Sequence, residues 1–335
     1  MALLEVEDLR RYYGRNRTLS EVFARRPAPP VRAVDDVSFE LQRGEMLALV
    51  GESGCGKTTT AQTVLRLINP TSGTISFAEQ DITTLRHRDL RPLRRRMQIV
   101  YQDPYESLNP RYRVSQTLIE PLEIHGLGGS SAERRELALE ALRRVELQPA
   151  ERFLDRYPHE LSGGQRQRVA IAAALIVGPE LLIADEPVSM LDVSVRAGVM
   201  GVLKRLCQED RVGILMITHD LPLAAHFADR VAVMYLGRIV EVGGARQVLR
   251  DPRHPYTRAL RDVAPRRGRE RTERAQILKG EPANAAAIPA GCRFHPRCPR
   301  AEDVCSRTDV RLMPVAGAAP GHEAACLFAD DIRND

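Results

Sequence analysis

The sequence predicts an α/β protein with a small helical subdomain inserted into it. Two apolar runs, Leu47–Val50 and Leu181–Ala184, have the length and composition of buried strands. The first leads into a glycine-rich turn and the second into two carboxylates, as expected where strands end at the ligand-binding edge of an open sheet. Between them, residues 103–160 change to turn-rich and helical patterns. These observations together indicate the fold class.

The glycine-rich turn has the pattern of a phosphate-binding loop. Residues 51–59, GESGCGKTT, match G-x-x-x-x-G-K-[ST], and a helical run from Thr59 to Leu67 follows. Glycines allow backbone N–H groups to close around phosphate, and a helix N-terminus adds partial positive charge. The candidate nucleotide-binding residues are Gly51, Ser53, Gly54, Cys55, Gly56, Lys57, Thr58 and Thr59.

The lysine in this loop is unusual for the chain. Of the 49 basic residues only three are lysines, Lys57, Lys204 and Lys279. A compact ammonium fits between phosphate oxygens where a planar guanidinium would crowd the loop. We therefore expect Lys57 to reach the terminal phosphates and the Thr58 hydroxyl to ligate Mg²⁺.

Length and composition limit the other possibilities. With 335 residues the chain suits one large domain plus an accessory piece, or two domains. No apolar run approaches the roughly 18–20 residues that span a bilayer, and the first residues lack a signal-peptide core, so we expect a cytoplasmic protein. A net charge of +5 does not by itself establish a nucleic-acid partner. Basic runs such as Arg91–Arg96 and Arg266–Arg274 suit either a solvated face or an anionic membrane surface.

Several further segments have assignable secondary structure. We expect strands at Leu3–Leu9, 33–42, Thr74–Phe77 and Gln98–Tyr101, and an Arg- and Pro-rich extended insertion at 14–32. Tyr12 or Tyr13 is placed either to stack on a base or to pack against the strand. In the inserted subdomain we expect a helix at Ser115–Ile124 and a second helix that starts with a capping box, Ser130-x-x-Glu133.

The stretch Leu161-Ser162-Gly163-Gly164-Gln165 begins another helix, which runs through Ile176. Ser162 is a suitable N-cap, and the two glycines leave backbone N–H groups accessible at the positive helix end. This is a second place for phosphate to bind, although Ser-Gly-Gly is also a common turn.

Carboxylates and a histidine follow two of the apolar runs. Asp185 and Glu186 end the strand at Leu181–Ala184, and Thr218-His219-Asp220 follows the run Ile214–Ile217. Asp185 suits a role in holding Mg²⁺ through water, and Glu186 suits a general base. His219 is placed to hydrogen-bond a γ-phosphate. Each of these could be a cap or a surface residue alone, but together with the loop they indicate nucleotide hydrolysis.

Taken in order, these motifs resemble the ATPase subunits of ATP-binding cassette transporters over residues 3 to about 328. A GTPase would need a base-reading Asn-Lys-x-Asp, which this sequence lacks. The stretches 101–110, 186–189 and 251–257 resemble the oligopeptide/dipeptide importer ATPases, in particular the F type of the paired ATPases. The motifs that carry the resemblance are the phosphate loop, Gln102, Leu161–Gln165 with residues 166–168, Asp185-Glu186, residues 189–192 and His219.

The resemblance implies a fold, a division of the chain and a mechanism. The fold is a RecA-like P-loop NTPase core with an antiparallel β subdomain. Residues 1–250 would form the ATPase domain, with the helical subdomain at about 103–165, and residues 251–335 a cysteine-bearing C-terminal extension. Two subunits would close on two ATP molecules, each held between the phosphate loop of one subunit and Ser162, Gly163, Gly164 and Gln165 of the other.

The resemblance also assigns roles and partners. It places adenine on Tyr13, Mg²⁺ near Thr58, Gln102 and Asp185, the catalytic water at Glu186, and Asp192 at the dimer interface. The implied partners are a second ATPase, which we expect to be a different chain, two membrane permeases docked near 102–113 and an extracytoplasmic peptide-binding protein. The subunit would lie on the cytoplasmic face of the membrane and would bind no nucleic acid.

Rival functions are also open at this point. They are a soluble cassette ATPase of DNA repair or translation, an exporter ATPase, and an importer of another solute such as a nickel complex. The first class usually carries two cassettes or a long coiled-coil insertion, whereas this chain has one cassette and a short insertion.

Four cysteines crowd into the last 44 residues with spacing C-x5-C-x6-C-x20-C. Cytoplasmic disulfides are rare, which leaves a metal site or free thiols. Structural zinc usually uses tight C-x2-4-C pairs, whereas four widely spaced thiolates suit a larger cluster, and ATPases of the resembled type include members with a C-terminal [4Fe–4S] cluster. We therefore expect a structural [4Fe–4S] cluster on Cys292, Cys298, Cys305 and Cys326. His295 and His322 keep zinc as the alternative.

Overall fold

The computed structural model describes residues 2–14, 30–103, 107–263 and 284–332. Most of the insertion expected at 14–32, residues 104–106 of the expected helical subdomain and the basic run Arg266–Arg274 lie outside these residues. The chain divides into two compact units. The first consists mainly of Thr84–Ile217 with Leu41–Met46, and the second of Leu4–Glu40, Leu47–Thr83 and the chain from Thr218 onward.

The strands of the described residues are numbered in chain order. They are β1 Ala2–Tyr13, β2 Val31–Gln42, β3 Met46–Val50, β4 Ser72–Phe77, β5 Gln80–Asp81, β6 Met97–Val100, β7 Leu181–Asp185, β8 Gly213–Thr218, β9 Arg230–Tyr235, β10 Arg238–Gly244, β11 Met313–Pro314 and β12 Glu323–Ala324.

The α-helices of the described residues are numbered in the same way. They are α1 Lys57–Val64, α2 His87–Arg96, α3 Val114–Ile124, α4 Ser131–Arg144, α5 Glu151–Leu154, α6 Gly163–Leu175, α7 Val193–Glu209, α8 Leu221–Phe227, α9 Ala245–Arg250 and α10 Pro255–Val263. Within the described parts of the chain, no helix combines the length and the hydropathy that crossing a bilayer requires.

In the first unit, β6, β7 and β8 are parallel and lie in that order. Every residue of β7 and β8 is buried, which explains why both appear in the sequence as continuous apolar runs instead of alternating patterns. Because Val100 pairs with Ala184 and Asp185 with Ile217, the three strands end at one edge. The residues that follow the three strands therefore all lie at this edge of the sheet.

The inserted helices of the first unit are α3, α4 and α5, which contact one another, while α3 and α4 also contact α6. The predicted capping box at α4 is formed only in part. The Ser130 hydroxyl accepts a hydrogen bond from the Glu133 N–H at 3.1 Å, as expected, but the Glu133 carboxylate accepts from Gly129 at 2.7 Å instead of from Ser130. The helix start is correctly predicted, and the second cap bond lies one residue earlier.

The second unit contains two groups of strands. In one, β3 pairs parallel with β9, and the antiparallel series β9, β10, β12 and β11 continues outward. In the other, β2, β1, β4 and β5 form a four-stranded sheet whose β1–β4 and β4–β5 pairs are antiparallel. The helix after the glycine-rich loop is α1. It begins at Lys57, two residues before the predicted start, and ends at Val64, three residues before the predicted end.

Candidate nucleotide site

The loop at 51–56 turns tightly enough to require glycine at two places. Gly56, the N-cap of α1, has φ +109°, and a Cβ built there would stand 2.1 Å from the Ala33 carbonyl oxygen. A Cβ on Gly51 would stand 2.2 Å from the Met234 carbonyl oxygen. The loop is thus packed against backbone on the side away from solvent, while Ser53 and Gly54 are exposed.

Lys57 is the first residue of α1, and its side chain folds back over the loop. Its ammonium donates to the carbonyl oxygens of Gly51 at 2.8 Å and Glu52 at 2.9 Å. Lys57 is 5% exposed, so its charge sits in a largely desolvated position beside the loop. Thr58, the next residue, is exposed at the start of the helix. An ammonium and a helix N-terminus at one loop are what an anionic phosphate binds to.

Glu52 is fixed by residues distant in sequence. Its N–H donates to the Tyr256 hydroxyl at 2.8 Å. Its carboxylate accepts from Arg297 at 2.7 and 3.1 Å. Hydrogen bonding to Glu52 raises the pKa of the Arg297 guanidinium.

Cys55 is buried in the loop floor, and burial raises the pKa of its thiol although the Lys57 ammonium opposes this. Its carbonyl accepts from the Gly237 N–H at 2.8 Å. A neutral, buried thiol adds packing to the loop and keeps negative charge away from it.

Tyr13, the predicted adenine contact, ends β1 and is half-buried. Its ring lies 4.4 Å from the Arg11 guanidinium carbon. The neighbouring Tyr12 has a structural role, because its hydroxyl donates to Asp35. Burial tends to raise the pKa of Asp35, but hydrogen bonds from Tyr12 and Arg293 outweigh this and hold it below its usual value. Tyr12 is thus hydrogen-bonded to Asp35. The adenine contact of Tyr13 stays a prediction.

His219 follows β8 and is exposed. It lies between Thr218, whose hydroxyl accepts from the Asp220 N–H at 3.0 Å, and Asp220, which caps α8 by accepting from Leu223 at 2.9 Å. Both neighbours are therefore used in shaping the turn. His219 thus follows the C-terminal end of β8, and its contact with the γ-phosphate stays a prediction.

In the first unit, Asp185 and Glu186 end β7. Asp185 is 5% exposed and Glu186 is half-buried. Glu186 has φ +46°, an uncommon conformation for a residue with a side chain, and its N–H donates to Ile217 at 2.9 Å. Gln102, two residues beyond the end of β6, is exposed at the same edge. Two oxygen-bearing side chains and a constrained carboxylate thus follow two adjacent strands, as the sequence predicts.

The start of α6 has the predicted cap. The Ser162 hydroxyl accepts from the Gln165 N–H at 3.3 Å, and the Gln165 side chain accepts from the Ser162 N–H at 3.0 Å. Ser162 is exposed and Gly163 is half-exposed. Gly164 is buried and packs so closely against Val195 that a Cβ there would lie 2.3 Å from that side chain. The N-terminus of this helix is open to a ligand from outside the chain.

Asp192 caps α7 by position and is exposed. On either side of it are two exposed apolar residues, Met190 at 63% and Val193 at 78% of their full exposure. Exposed apolar side chains beside a charged one are common at protein interfaces. This position suits the dimer-facing role that the resemblance implies for Asp192.

The four C-terminal cysteines line one cavity of the second unit. The cavity is bounded by Cys292, Cys298, Cys305 and Cys326 together with His254, Pro255, Phe294, His295, Arg300, Val310, Leu327, Phe328 and Ile332. All six cysteines of the chain lie in the described residues, and none is in a disulfide. Burial raises the pKa of Cys292 and Cys298, and that of Cys326 to about 12.

The cysteine cavity does not establish a metal centre. Within the described residues, no group of three or more His, Cys, Asp or Glu side chains is arranged to hold a metal ion. His295 is at the cavity, where its Nδ1 bonds the Cys292 carbonyl at 2.8 Å. His322, the other histidine of the zinc alternative, has a carboxylate partner. Its Nε2 is 2.8 Å from the buried Glu241 carboxylate, which also binds the N–H groups of Arg253 and His254.

Tyr256 and Arg297 are site residues that sequence reasoning missed. Tyr256 lies in a stretch that carries the family resemblance, but nothing in the sequence pairs it with the loop more than 200 residues earlier. Arg297 is one arginine among many and has no motif of its own. Only the packing of the C-terminal residues onto the loop identifies them.

Comparisons with known proteins agree with this geometry. A family model described as ABC transporter matches residues 34–189, and one described as the oligopeptide/dipeptide transporter C-terminal region matches residues 240–305. A putative peptide import ATP-binding protein of Brucella ovis is 48% identical over 298 residues, covering 89% of this chain and 92% of the relative. The oligopeptide transport ATP-binding protein AppF of Bacillus subtilis is 45% identical over 97% of this chain and 96% of its own.

Solved structures give the same result for the fold. A dimeric ATP-binding cassette in a post-hydrolysis state, bound to ADP and Pi, has a TM-score of 0.63 and 30% identity, and the match covers 72% of this chain and 99% of that one. The protein cbiO1 of Clostridium perfringens, part of the ABC transporter complex cbiONQ, has a TM-score of 0.63 and 29% identity, and the match covers 74% of this chain and 91% of that one. The predicted P-loop NTPase fold is confirmed. The chain belongs to the ABC transporter ATPases, in the branch whose C-terminal region is that of the oligopeptide/dipeptide transporters.

Proposed function

We propose that this chain is the ATP-hydrolysing subunit of a membrane importer of di- or oligopeptides. The observation that carries the proposal is the presence on one chain of a complete ABC phosphate loop, with Lys57 folded over it, and of the oligopeptide/dipeptide C-terminal region. The named relatives are peptide import ATP-binding proteins at up to 48% identity. The subunit would work at the cytoplasmic face of the membrane.

The residues divide the work of hydrolysis. Lys57 and the N–H groups at 51–58 bind the β- and γ-phosphates, and Tyr13 stacks on adenine. Glu186 activates the attacking water, and His219 stabilises charge on the γ-phosphate. Such catalysis consists mainly of positioning and electrostatics, which suits a carboxylate whose backbone is fixed at φ +46°.

The predicted ligands of Mg²⁺ are Thr58, Gln102 and Asp185. A hydroxyl, an amide oxygen and a carboxylate are the hard oxygen donors that this ion prefers, so the donor set fits. When bound, the ion offsets the charge that develops on the phosphates during transfer.

The proposed assembly is a dimer of ATPases on two permease subunits. The exposed start of α6 would complete the ATP site of the opposing subunit, with Met190, Asp192 and Val193 at the interface. Permease helices would dock near 102–113, next to Tyr101, whose side chain is 41% exposed. We propose a heterodimer with a second ATPase, and selection of the peptide by an extracytoplasmic binding protein.

Replacement of Glu186 by Gln tests this function in the assembled complex. ATP should still bind, while hydrolysis falls about 10²-fold or more, as for loss of a positioned general base. Glu209→Gln, at the exposed end of α7, is the matched control and should hydrolyse ATP at the normal rate. Near-normal turnover in the Glu186 variant would contradict the assignment. Failure of the assembled complex to take up peptide would contradict the transport function.

We also propose a [4Fe–4S] cluster in the cysteine cavity, with zinc as the rival. The support is the convergence of four thiols on one largely apolar cavity. Tetrahedral zinc, with bonds of about 2.3 Å, would need the sulfurs about 4 Å apart, whereas a larger cluster suits sulfurs that line a cavity without meeting at one point. Anaerobically purified protein should be brown, with about four irons per chain and absorption that disappears in Cys→Ser variants. Colourless protein with one zinc would decide for the rival.

A further inference from the structure

The C-terminal residues contact the phosphate loop at its second position, Glu52. The loop residue is held at three points: its N–H by the Tyr256 hydroxyl, its carbonyl by Lys57 and its carboxylate by Arg297. Tyr256 belongs to α10, and Arg297 lies between two of the cavity cysteines. Two of the three supports therefore come from the C-terminal stretch.

Both distant supports are rigid. Tyr256 is fully buried, with its ring 4.7 Å from that of Tyr235 and 5.5 Å from that of Phe294. The Arg297 side chain is 7% exposed and Glu52 26% exposed, and the guanidinium lies 5.9 Å from the Tyr235 ring. A two-bond ion pair with so little solvent around it is screened weakly and has a defined geometry.

Fixing Glu52 has consequences for the rest of the loop. Its carbonyl is one of the two that hold the Lys57 ammonium, so the orientation of this peptide sets where the lysine lies. Its carboxylate is a negative charge within a loop that binds polyphosphate, and it would repel that ligand if left unpaired. Arg297 neutralises this charge, and Tyr256 orients the preceding Gly51–Glu52 peptide, whose carbonyl is the other one that holds the Lys57 ammonium.

We propose that Arg297 and Tyr256 are positioning residues of the ATP site, and that the C-terminal extension thereby sets the affinity of the phosphate loop for ATP. The inference rests on the proposed binding of ATP by this loop. A loop that is already in its binding shape loses less conformational entropy when the nucleotide arrives.

The test is a set of variants of the full-length chain, titrated with a fluorescent ATP analogue and Mg²⁺. Arg297→Ala should weaken binding about tenfold, because it leaves Glu52 unpaired near the phosphates. Arg297→Ala combined with Glu52→Gln should recover to within about threefold of the unmodified chain, since the unpaired charge is gone. Arg307→Ala removes an exposed arginine of the same extension and should bind normally.

The double variant separates positioning from simple attachment of the extension. If Arg297 only fastened the extension, removing Glu52 as well would leave binding as weak as in the single variant, and the inference would be overturned. Normal affinity of Arg297→Ala would overturn it too. Lys57→Ala should abolish binding, and if it did not, the loop would not be the ATP site, which refutes the proposed function together with the inference.

Tyr256→Phe tests the second support without changing packing. Loss of the hydroxyl leaves the Glu52 N–H without its acceptor, and we expect binding about three- to tenfold weaker with a melting temperature lowered by only a few degrees. Hydrogen exchange of the Glu52 amide should accelerate in this variant. Unchanged exchange and affinity would remove Tyr256 from the proposal.

Discussion

We expect two stretches of the chain to present backbone N–H groups to phosphate, and the structure holds them in different ways. The phosphate loop at 51–57 is fixed by distant residues. The backbone carbonyls of Ala33 and Met234 leave no room for a side chain at its glycines. Tyr256 and Arg297 hydrogen-bond to Glu52. The segment Ser162–Gln165 is fixed mainly by itself.

The local character of the second stretch is visible in its bonds. Ser162 and Gln165 cap each other, and Arg166 donates to the carbonyls of Leu161 and Pro158, both at 2.7 Å. The stretch that we propose to act on an opposing subunit is exposed at Ser162 and is shaped by its neighbours in sequence. A loop that must enclose ATP is embedded and depends on the whole unit.

The largest effect should follow from breaking the embedded loop at Gly56. Gly56→Ala forces φ +109° on a residue with a Cβ and places that carbon 2.1 Å from the Ala33 carbonyl. We expect ATP binding to fall more than about 100-fold, since overlap with backbone cannot be relieved by a side-chain rotation. Gly54→Ala is the control, because it has φ +80° but nothing within 4 Å, and should lose only about tenfold. Equal effects in a binding titration would show that strain alone matters.

A charge at the exposed stretch should act on the partner and not on the chain's own loop. Gly163→Asp fits sterically, since a Cβ there would lie 3.4 Å from Leu191, but it adds a negative charge where phosphate is to bind. ATP should still bind this chain's loop, while ATP-dependent closure of the dimer, followed by crosslinking, and transport are lost. Gly163→Asn, of the same shape but neutral, should retain most closure. Unchanged crosslinking of the aspartate variant would refute the sandwich arrangement for this chain.

Acid should loosen the embedded loop before the locally capped stretch. His254 accepts from the Tyr256 N–H at 3.1 Å, and burial lowers the pKa of His254 to about 3. The unfolded chain binds a proton at this residue near pH 6.5 while the folded chain does not, so folding stability falls as pH drops from 6.5 toward 3. By pH 5 this contribution is about 2 kcal/mol.

The variant His254→Asn isolates that contribution, because its side-chain oxygen can still accept from Tyr256. Between pH 8 and pH 5 it should lose about 2 kcal/mol less unfolding free energy than the unmodified chain. The protection factor of the Glu52 amide, which corrects the exchange rate for its intrinsic pH dependence, should fall in acid in the unmodified chain, with little change in the protection factor of Gln165. If the unfolding free energy changed equally with pH in the unmodified chain and in the His254→Asn variant, His254 would not be a buried neutral histidine.

The smallest effect should come from the local cap itself. Ser162→Ala removes the acceptor of the Gln165 N–H and should cost about 1 kcal/mol of unfolding free energy, measured by denaturant unfolding. Ser162→Asn restores a capping oxygen and should recover most of the loss. A loss well above this value would mean that the segment depends on more distant contacts than its bonds indicate.

The sequence by itself determined the elements and most of the candidate chemistry. Continuous apolar runs identified β3, β7 and β8 because strands buried on both faces need no alternation. The loop pattern, the cap at Ser162 and the acids after β7 were visible because each depends on residues within a few positions of one another. The predicted positions of Lys57, Asp185 and Glu186 relative to their helix and strand follow from the same local rules.

Only the tertiary structure decided what supports these motifs. The contact of Arg297 with Glu52 joins residues 245 positions apart, and no periodicity or spacing encodes such a pair. The same holds for the pairing of His322 with Glu241, because a buried carboxylate needs hydrogen-bond donors and the fold brings the histidine to it together with the N–H groups of Arg253 and His254. Local bonding can be predicted from neighbouring residues, whereas long-range partners are chosen by burial and packing, which exist only once the chain has folded.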